Sequence, residues 1–224
     1  MTKTQNQQSN VLTRIMNRIR RKRFAYLTKS LLLLIVAYPY VQGDMGGQIL
    51  LSLLATLVMI MSVIAVGDKR SHTVIALLLA APWFLLLLLK VPLIPIDASR
   101  LVKDEIVFAF LLFGYTTYRI FIHIIKSRDV TAEILSASIC VYLLIGLTWA
   151  TLYVIVNMFY PGSFIDTDGK ALQDGPDFLF FSYVTLTTVG YGNIEAITDQ
   201  ARSFASLEAL TGQLYLTVMV ARLV

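Results

Sequence analysis

Apolar residues run in long blocks along this chain, broken by short polar or glycine- and proline-rich clusters. Six blocks are long enough to cross a bilayer: about 24–42, 48–67, 72–90, 104–126, 131–160 and 201–224. The breaks between them carry turn chemistry. Gln42-Gly43-Asp44-Met45-Gly46-Gly47 separates the first two, Asp68-Lys69-Arg70-Ser71-His72 the next two, and Pro92 and Pro95 precede the fourth. Lys126-Ser127-Arg128-Asp129 connects the fourth block to the fifth, and Pro82 is expected to kink the third. Between the fifth and sixth blocks lies a polar loop, 161–176, and then a shorter apolar, hydroxyl-rich run. Pro176 and Asp177 suit the first turn of a helix there, expected over Asp177–Thr187. The pattern predicts an all-α membrane protein with six transmembrane helices plus a shorter, re-entrant helix followed by an irregular segment.

Composition agrees with that reading. The 224 residues are 57% hydrophobic and 15% charged, with a mean hydropathy of +0.70, against about 25% charged residues in a soluble domain. The net charge of +5 is concentrated. Lys3, Arg14, Arg18, Arg20, Arg21, Lys22 and Arg23 fall in the first 23 residues with no acid among them. Residues 10–23 are also helix-patterned, with Val11, Ile15 and Ile19 on one face and Arg14, Arg18 and Arg21 away from it. Next to a membrane helix such a segment selects anionic lipid as its partner rather than nucleic acid. If the N-terminus is cytoplasmic, the inner side holds the basic N-terminus, Lys69, Arg70, Lys126, Arg128 and Arg222. The positive-inside rule favours that arrangement, with both termini cytoplasmic in a cell membrane. It also leaves residues 161–200 outside. The single Cys140 excludes an intrachain disulfide. No span carries a metal-binding His/Glu pair or a serine with a plausible base, so no enzyme chemistry is expected, and no cofactor.

Thr188-Val189-Gly190-Tyr191-Gly192 is the stretch with chemistry in it. Glycines on both sides of the tyrosine permit left-handed backbone at alternate positions. That can turn successive carbonyls toward a common axis, where they replace the water around a dehydrated cation, with the Thr188 hydroxyl adding a further layer. Asp166, Asp168 and Asp174, with only Lys170 against them, would raise cation concentration at the mouth. Asp166-Thr167-Asp168-Gly169 also has the start of a calcium loop, without the later ligands.

From about Val130 to Val224 the chain resembles the pore module of tetrameric potassium channels, on the string TLTTVGYGNI and the apolar segment on each side of it. The resemblance implies an outer helix, pore helix, selectivity filter and inner helix over 130–224. Residues 24–129 then form a four-helix region like that of the six-helix members, and 1–23 the basic cytoplasmic segment. It implies potassium ions bound by Thr188, Val189, Gly190 and Tyr191, with Gly192 closing the filter and a homotetramer completing the ring. Thr187, Phe180, Phe181, Tyr183, Asn193 and Glu208 are expected to support the filter, the aromatic residues as a cuff around it. Glu208, a carboxyl on a membrane helix, is expected behind the filter, hydrogen-bonded to the pore helix. The chain departs from the family where tryptophans usually stand at Phe180 and Phe181 and aspartate at Asn193. Phenylalanine has no ring donor, so the family's hydrogen bond behind the filter has no counterpart at those positions.

In the sixth span Gly212 falls at the family's inner-helix hinge; its helical cost of about 1 kcal/mol suits either bending or close packing. Leu216 and Val220, at one-turn spacings below it, would line the cavity and gate. The fourth span, from Ile106, has Arg119, His123 and Lys126 as its only basic residues, all in its inner half. A voltage sensor needs several arginines at every third position, so strong voltage gating is not expected. The sequence-level conclusion is passive potassium conduction. The alternative is a secondary transporter or accessory membrane protein whose glycine motif only turns the chain; no internal repeat of the kind transporters carry is visible.

Overall fold

The computed structural model describes residues 22–37, 45–67, 70–89, 98–172 and 175–223. The expected basic helix over residues 10–23 lies almost entirely outside the described residues. Seven helices and two short strands are described: α1 Arg23–Ala37, α2 Met45–Val66, α3 Arg70–Leu89, α4 Ala98–Lys126, α5 Ala132–Phe159, β1 Phe164–Asp166, α6 Gly175–Leu186, β2 Ile194–Ala196 and α7 Asp199–Leu223. Among the described residues four stretches are long and apolar enough to cross a membrane: Ile49–Val66, Glu105–Lys126, Ala132–Phe159 and Asp199–Arg222. Arg70–Leu85 and Asp177–Leu186 are shorter apolar helices.

The helices follow the apolar blocks, with local reasons for their ends. In α1, Phe24, Leu27, Thr28, Leu31 and Leu34 are buried along one stripe of 3.6-residue period. Thr131 caps α5, its hydroxyl accepting from the Ile134 amide at 3.3 Å, and Glu133 sits in the positive first turn. α4 begins six residues before the expected apolar block. Ser99, Arg100, Lys103 and Asp104 broke the hydrophobic pattern there but do not break a helix. Pro82 lies inside α3.

α1 packs on α2 and α5, α2 on α3 and α4, and α3 on α4, while α4 runs along α5. A core of aliphatic side chains, including Leu27, Leu31, Val58, Leu112, Ile120, Ile124, Val141 and Leu144, joins this four-helix region to α5. The joint is not filled throughout. A cavity of about 610 Å³ lies between α4, α5 and α7, walled by Phe110, Tyr118, Trp149 and Tyr215 among others.

An antiparallel strand pair was not legible as part of an all-α chain. Phe164, Ile165 and Asp166 pair with Ala196, Glu195 and Ile194. The loop before α6 is thereby tied to the segment after the glycine motif. Below the strands a second core gathers Tyr153, Phe164, Phe178 and Phe181, their rings 5.1–5.3 Å apart in edge-to-face contacts.

Candidate functional site

Helix α6 ends at Leu186, and the chain hooks back against that end. The amides of Thr187, Thr188 and Val189 donate to the carbonyls of Tyr183, Thr185 and Val184 at 3.0, 2.9 and 3.0 Å, and the Gly190 amide also reaches Val184 O at 3.4 Å. The peptide bonds here are trans, so each C=O points opposite to the N–H of its own peptide unit. With the amides of 188, 189 and 190 turned toward α6, the carbonyls of Thr187, Thr188 and Val189 are turned away from it. Carbonyls on one side of a chain require backbone of alternating hand. Thr188, Gly190 and Gly192 have φ of +58°, +60° and +74°, while Val189 and Tyr191 between them do not have positive φ. A Cβ at Gly190 or Gly192 would meet nothing within 4 Å. Glycine is needed there for its φ, not for space. Thr188 takes the same hand without being glycine, a costly conformation for a β-branched residue.

The surroundings of this segment differ from the expected cuff. Phe180 stacks on Tyr191, with ring centroids 6.3 Å apart and planes 11° from parallel. Phe181 instead points into the aromatic core with Tyr153 and Phe164. Tyr183 lies against α5, its hydroxyl donating to Leu143 O at 2.8 Å, its ring filling the space left by Gly146. The physical reason is helical geometry. Consecutive residues on α6 are about 100° apart, so adjacent rings at 180 and 181 point in different directions. Thr187 donates its hydroxyl to Tyr183 O at 2.6 Å. Asn193 is exposed.

Glu208 is fully buried. Its Oε2 accepts from the Tyr153 hydroxyl of α5, and its Oε1 lies 2.5 Å from Ser182 Oγ of α6. Ser182 Oγ is also 2.7 Å from Gly146 O of α5. One carboxyl group thus joins three helices behind the glycine motif. Gly212, one turn further along α7, is buried against the end of α6, where an added Cβ would collide with the Leu186 carbonyl oxygen. α7 runs unbroken through it. What this geometry explains is the close-packing role of Gly212. Beside it, Gln213 extends to the motif itself, Nε2 donating to Thr188 Oγ1 at 3.3 Å. Leu216 and Val220, both exposed, follow Gln213 at three and seven residues and share its face of α7.

Tyr153, Ser182 and Gln213 were not singled out from the sequence. Gln213 carried a usable signal, a polar residue on an apolar helix in register with Leu216 and Val220. Tyr153 and Ser182 carried none, because their meeting with Glu208 depends on how three helices rotate against one another.

On β1, beside the segment that follows the motif, Asp166 spends its carboxylate on a turn, Oδ1 accepting from the amides of Asp168 and Lys170 at 2.9 and 2.8 Å. Lys170 pairs with Asp168 at 3.2 Å. Among the described residues no cluster of His, Cys, Asp and Glu could hold a metal ion.

Residues 139–224, from α5 through α7, match the family model described as "Ion channel". No curated protein and no solved structure matches the chain.

Proposed function

We propose, from the match of residues 139–224 to the family model described as "Ion channel", that four copies of this chain form a potassium-selective channel. The observation that carries the reading is the alternating backbone at Thr188, Gly190 and Gly192, with carbonyls turned away from α6. Four such segments facing one axis would ring a dehydrated potassium ion with oxygens at Thr188, Val189, Gly190 and Tyr191. The tetramer follows from two requirements. One chain supplies one wall of such a ring. Irregular backbone at membrane depth must also be buried in protein, yet Val189 and Tyr191 are 53% and 72% exposed in the single chain. Neighbouring copies would cover them, and the exposed Leu210 and Leu214 of α7 suit apolar contact with a neighbour or lipid.

The face of α7 that carries Gln213, Leu216 and Val220 would line the cavity below the filter. Six helices would cross the membrane, α1–α5 and α7, with α6 re-entrant. Arg23, Lys126 and Arg222 stand at the helix ends away from the filter, and Arg222 donates to Ser127 O there, so that side would be cytoplasmic, with anionic lipid at the basic N-terminus. Arg119 lies at the same end among Phe24, Ala65, Val66, Ile120 and His123. One arginine, with His123 and apolar side chains around it, supports weak voltage dependence at most. The reading is tested by potassium efflux from liposomes. The unmodified protein should release potassium, and Gly190→Ala should abolish release because alanine resists positive φ. Full release by Gly190→Ala would contradict it.

A further inference from the structure

Three oxygen–oxygen contacts surround Glu208, and each is best satisfied by a proton of its own. They are Tyr153 Oη with Glu208 Oε2, Glu208 Oε1 with Ser182 Oγ at 2.5 Å, and Ser182 Oγ with Gly146 O at 2.7 Å. The Gly146 carbonyl is an acceptor only, and a serine or tyrosine hydroxyl has one hydrogen. Tyr153 and Ser182 therefore bring two protons to three contacts. With an ionised Glu208, Ser182 would have to share its one proton between Glu208 Oε1 and Gly146 O, leaving at least one acceptor under-satisfied in a site where all three side chains are fully buried. A third proton on Glu208 completes the set. Tyr153 donates to Oε2, Glu208 donates through Oε1 to Ser182 Oγ, and Ser182 donates to Gly146 O.

We propose that Glu208 is held as a neutral carboxylic acid, and that as a donor to Ser182 it is the positioning residue that fixes the pore helix between the outer and inner helices. The partners of Glu208 agree with a neutral group: they are hydroxyls on α5 and α6, with no basic side chain among its contacts in the described residues. The consequence is mechanical. Ser182 sits five residues before Thr187 on α6, whose C-terminal carbonyls hold the amides of the motif. A relay that fixes Ser182 to both flanking helices fixes the platform from which the filter hangs. It does so behind the helix, where the chain's phenylalanines at 180 and 181 offer no ring donor. The proton count stands on the contacts alone, while its effect on conduction rests on the channel reading.

The test uses the full chain in lipid, unmodified and as Glu208→Gln, Glu208→Ala and Ser182→Ala. Infrared difference spectroscopy at neutral pH reads the proton directly. The unmodified protein minus Glu208→Gln should show the carbonyl stretch of a protonated carboxylic acid. A carboxylate band there instead overturns the proposal. Glutamine keeps one acceptor and one donor toward the same partners, so potassium flux in Glu208→Gln should stay within about threefold of the unmodified protein. Glu208→Ala and Ser182→Ala, each leaving buried polar groups unpaired, should lose about tenfold or more. Equal loss in Glu208→Gln and Glu208→Ala would overturn the positioning role. If the unmodified protein passes no potassium, the channel reading fails, and the infrared band and the melting temperatures of the same variants still decide the proton count. Glu208→Gln melting with the unmodified protein and Glu208→Ala a few degrees or more below it would uphold the relay, and the reverse order would refute it.

Discussion

The four-helix region, α1–α4, and the module α5–α7 are both apolar, yet they use their polar side chains differently. In the first region several hydroxyls bond back to their own helix: Thr28 to Phe24 O, Ser30 to Leu27 O, Thr56 to Ser52 O and Thr117 to Phe113 O, with Thr28 also reaching Ser136 O of α5 at 3.3 Å. Bonds between its helices include His72 with Tyr115 and Trp83 to Thr56. The hydroxyls of Ser62 and Thr116 and the Nε of Arg119 are buried without a hydrogen-bond partner. In the module hydroxyls such as Ser138, Thr148, Thr211 and Thr217 also bond back to their own helix, but further polar groups join different elements. Tyr215 donates to Ser138 O, Tyr183 to Leu143 O and Asn157 to Leu172 O, and Glu208 joins three helices. A hydroxyl bonded to its own helix satisfies itself wherever the helix sits. A bond between helices is made in one rotation and one register only. The module adds to shape a carboxyl that joins three helices and several further addressed polar contacts around the site. That difference is what a site with sub-ångström demands on its backbone requires.

The sharpest way to break this comparison is to make one substitution in each region. Gly212→Ala places a methyl group against the Leu186 carbonyl oxygen, whereas a Cβ at Gly114 on α4 comes no closer than 3.9 Å to Thr148. Gly212→Ala should cost about 1–3 kcal/mol, as overpacking does, and with it conduction. Gly114→Ala should be neutral or should stabilise, by up to about 1 kcal/mol from helix propensity. Thermal melting in detergent and flux in liposomes read both. Similar losses from the two would dissolve the distinction.

A smaller effect separates the hydroxyls. Tyr215→Phe removes a buried bond of 2.6 Å between α7 and α5 and should cost about 1 kcal/mol. Thr117→Val removes a bond within α4 and should change melting by less than about 0.5 kcal/mol. The same scan tells a packed scaffold from an addressed one, since equal shifts would place addressed contacts in both.

How far each region was legible from the sequence follows the same line. Apolar blocks mark where helices lie, because length and hydropathy are local properties. The expected 131–160 and 201–224 correspond to α5 at 132–159 and α7 at 199–223. The start of α4 was not visible, since its first turns are charged. The strand pair was not visible either, because three-residue strands carry too little pattern. Within the site, the glycines announced positive φ at 190 and 192, but nothing in a threonine announces it at 188. The direction of Phe181 and Tyr183 and the partners of Glu208 depend on helix rotation, which no periodicity within one helix specifies.

The smallest expected effect concerns voltage. Steep gating takes roughly three to four charges per subunit, and α4 offers one arginine, Arg119, away from its ends. Open probability should vary only shallowly with voltage, and Arg119→Gln should leave the slope nearly unchanged. A steep curve that flattens in Arg119→Gln would make the four-helix region a sensor rather than a scaffold.

The central claim is that the backbone of Thr188–Gly192 selects potassium, and the most direct measurement is the reversal potential of the purified protein in a planar bilayer. With potassium on one side and sodium on the other, the current should reverse far toward the potassium equilibrium potential and follow it as the potassium gradient is changed. A reversal near zero that ignores which side holds potassium would contradict the claim.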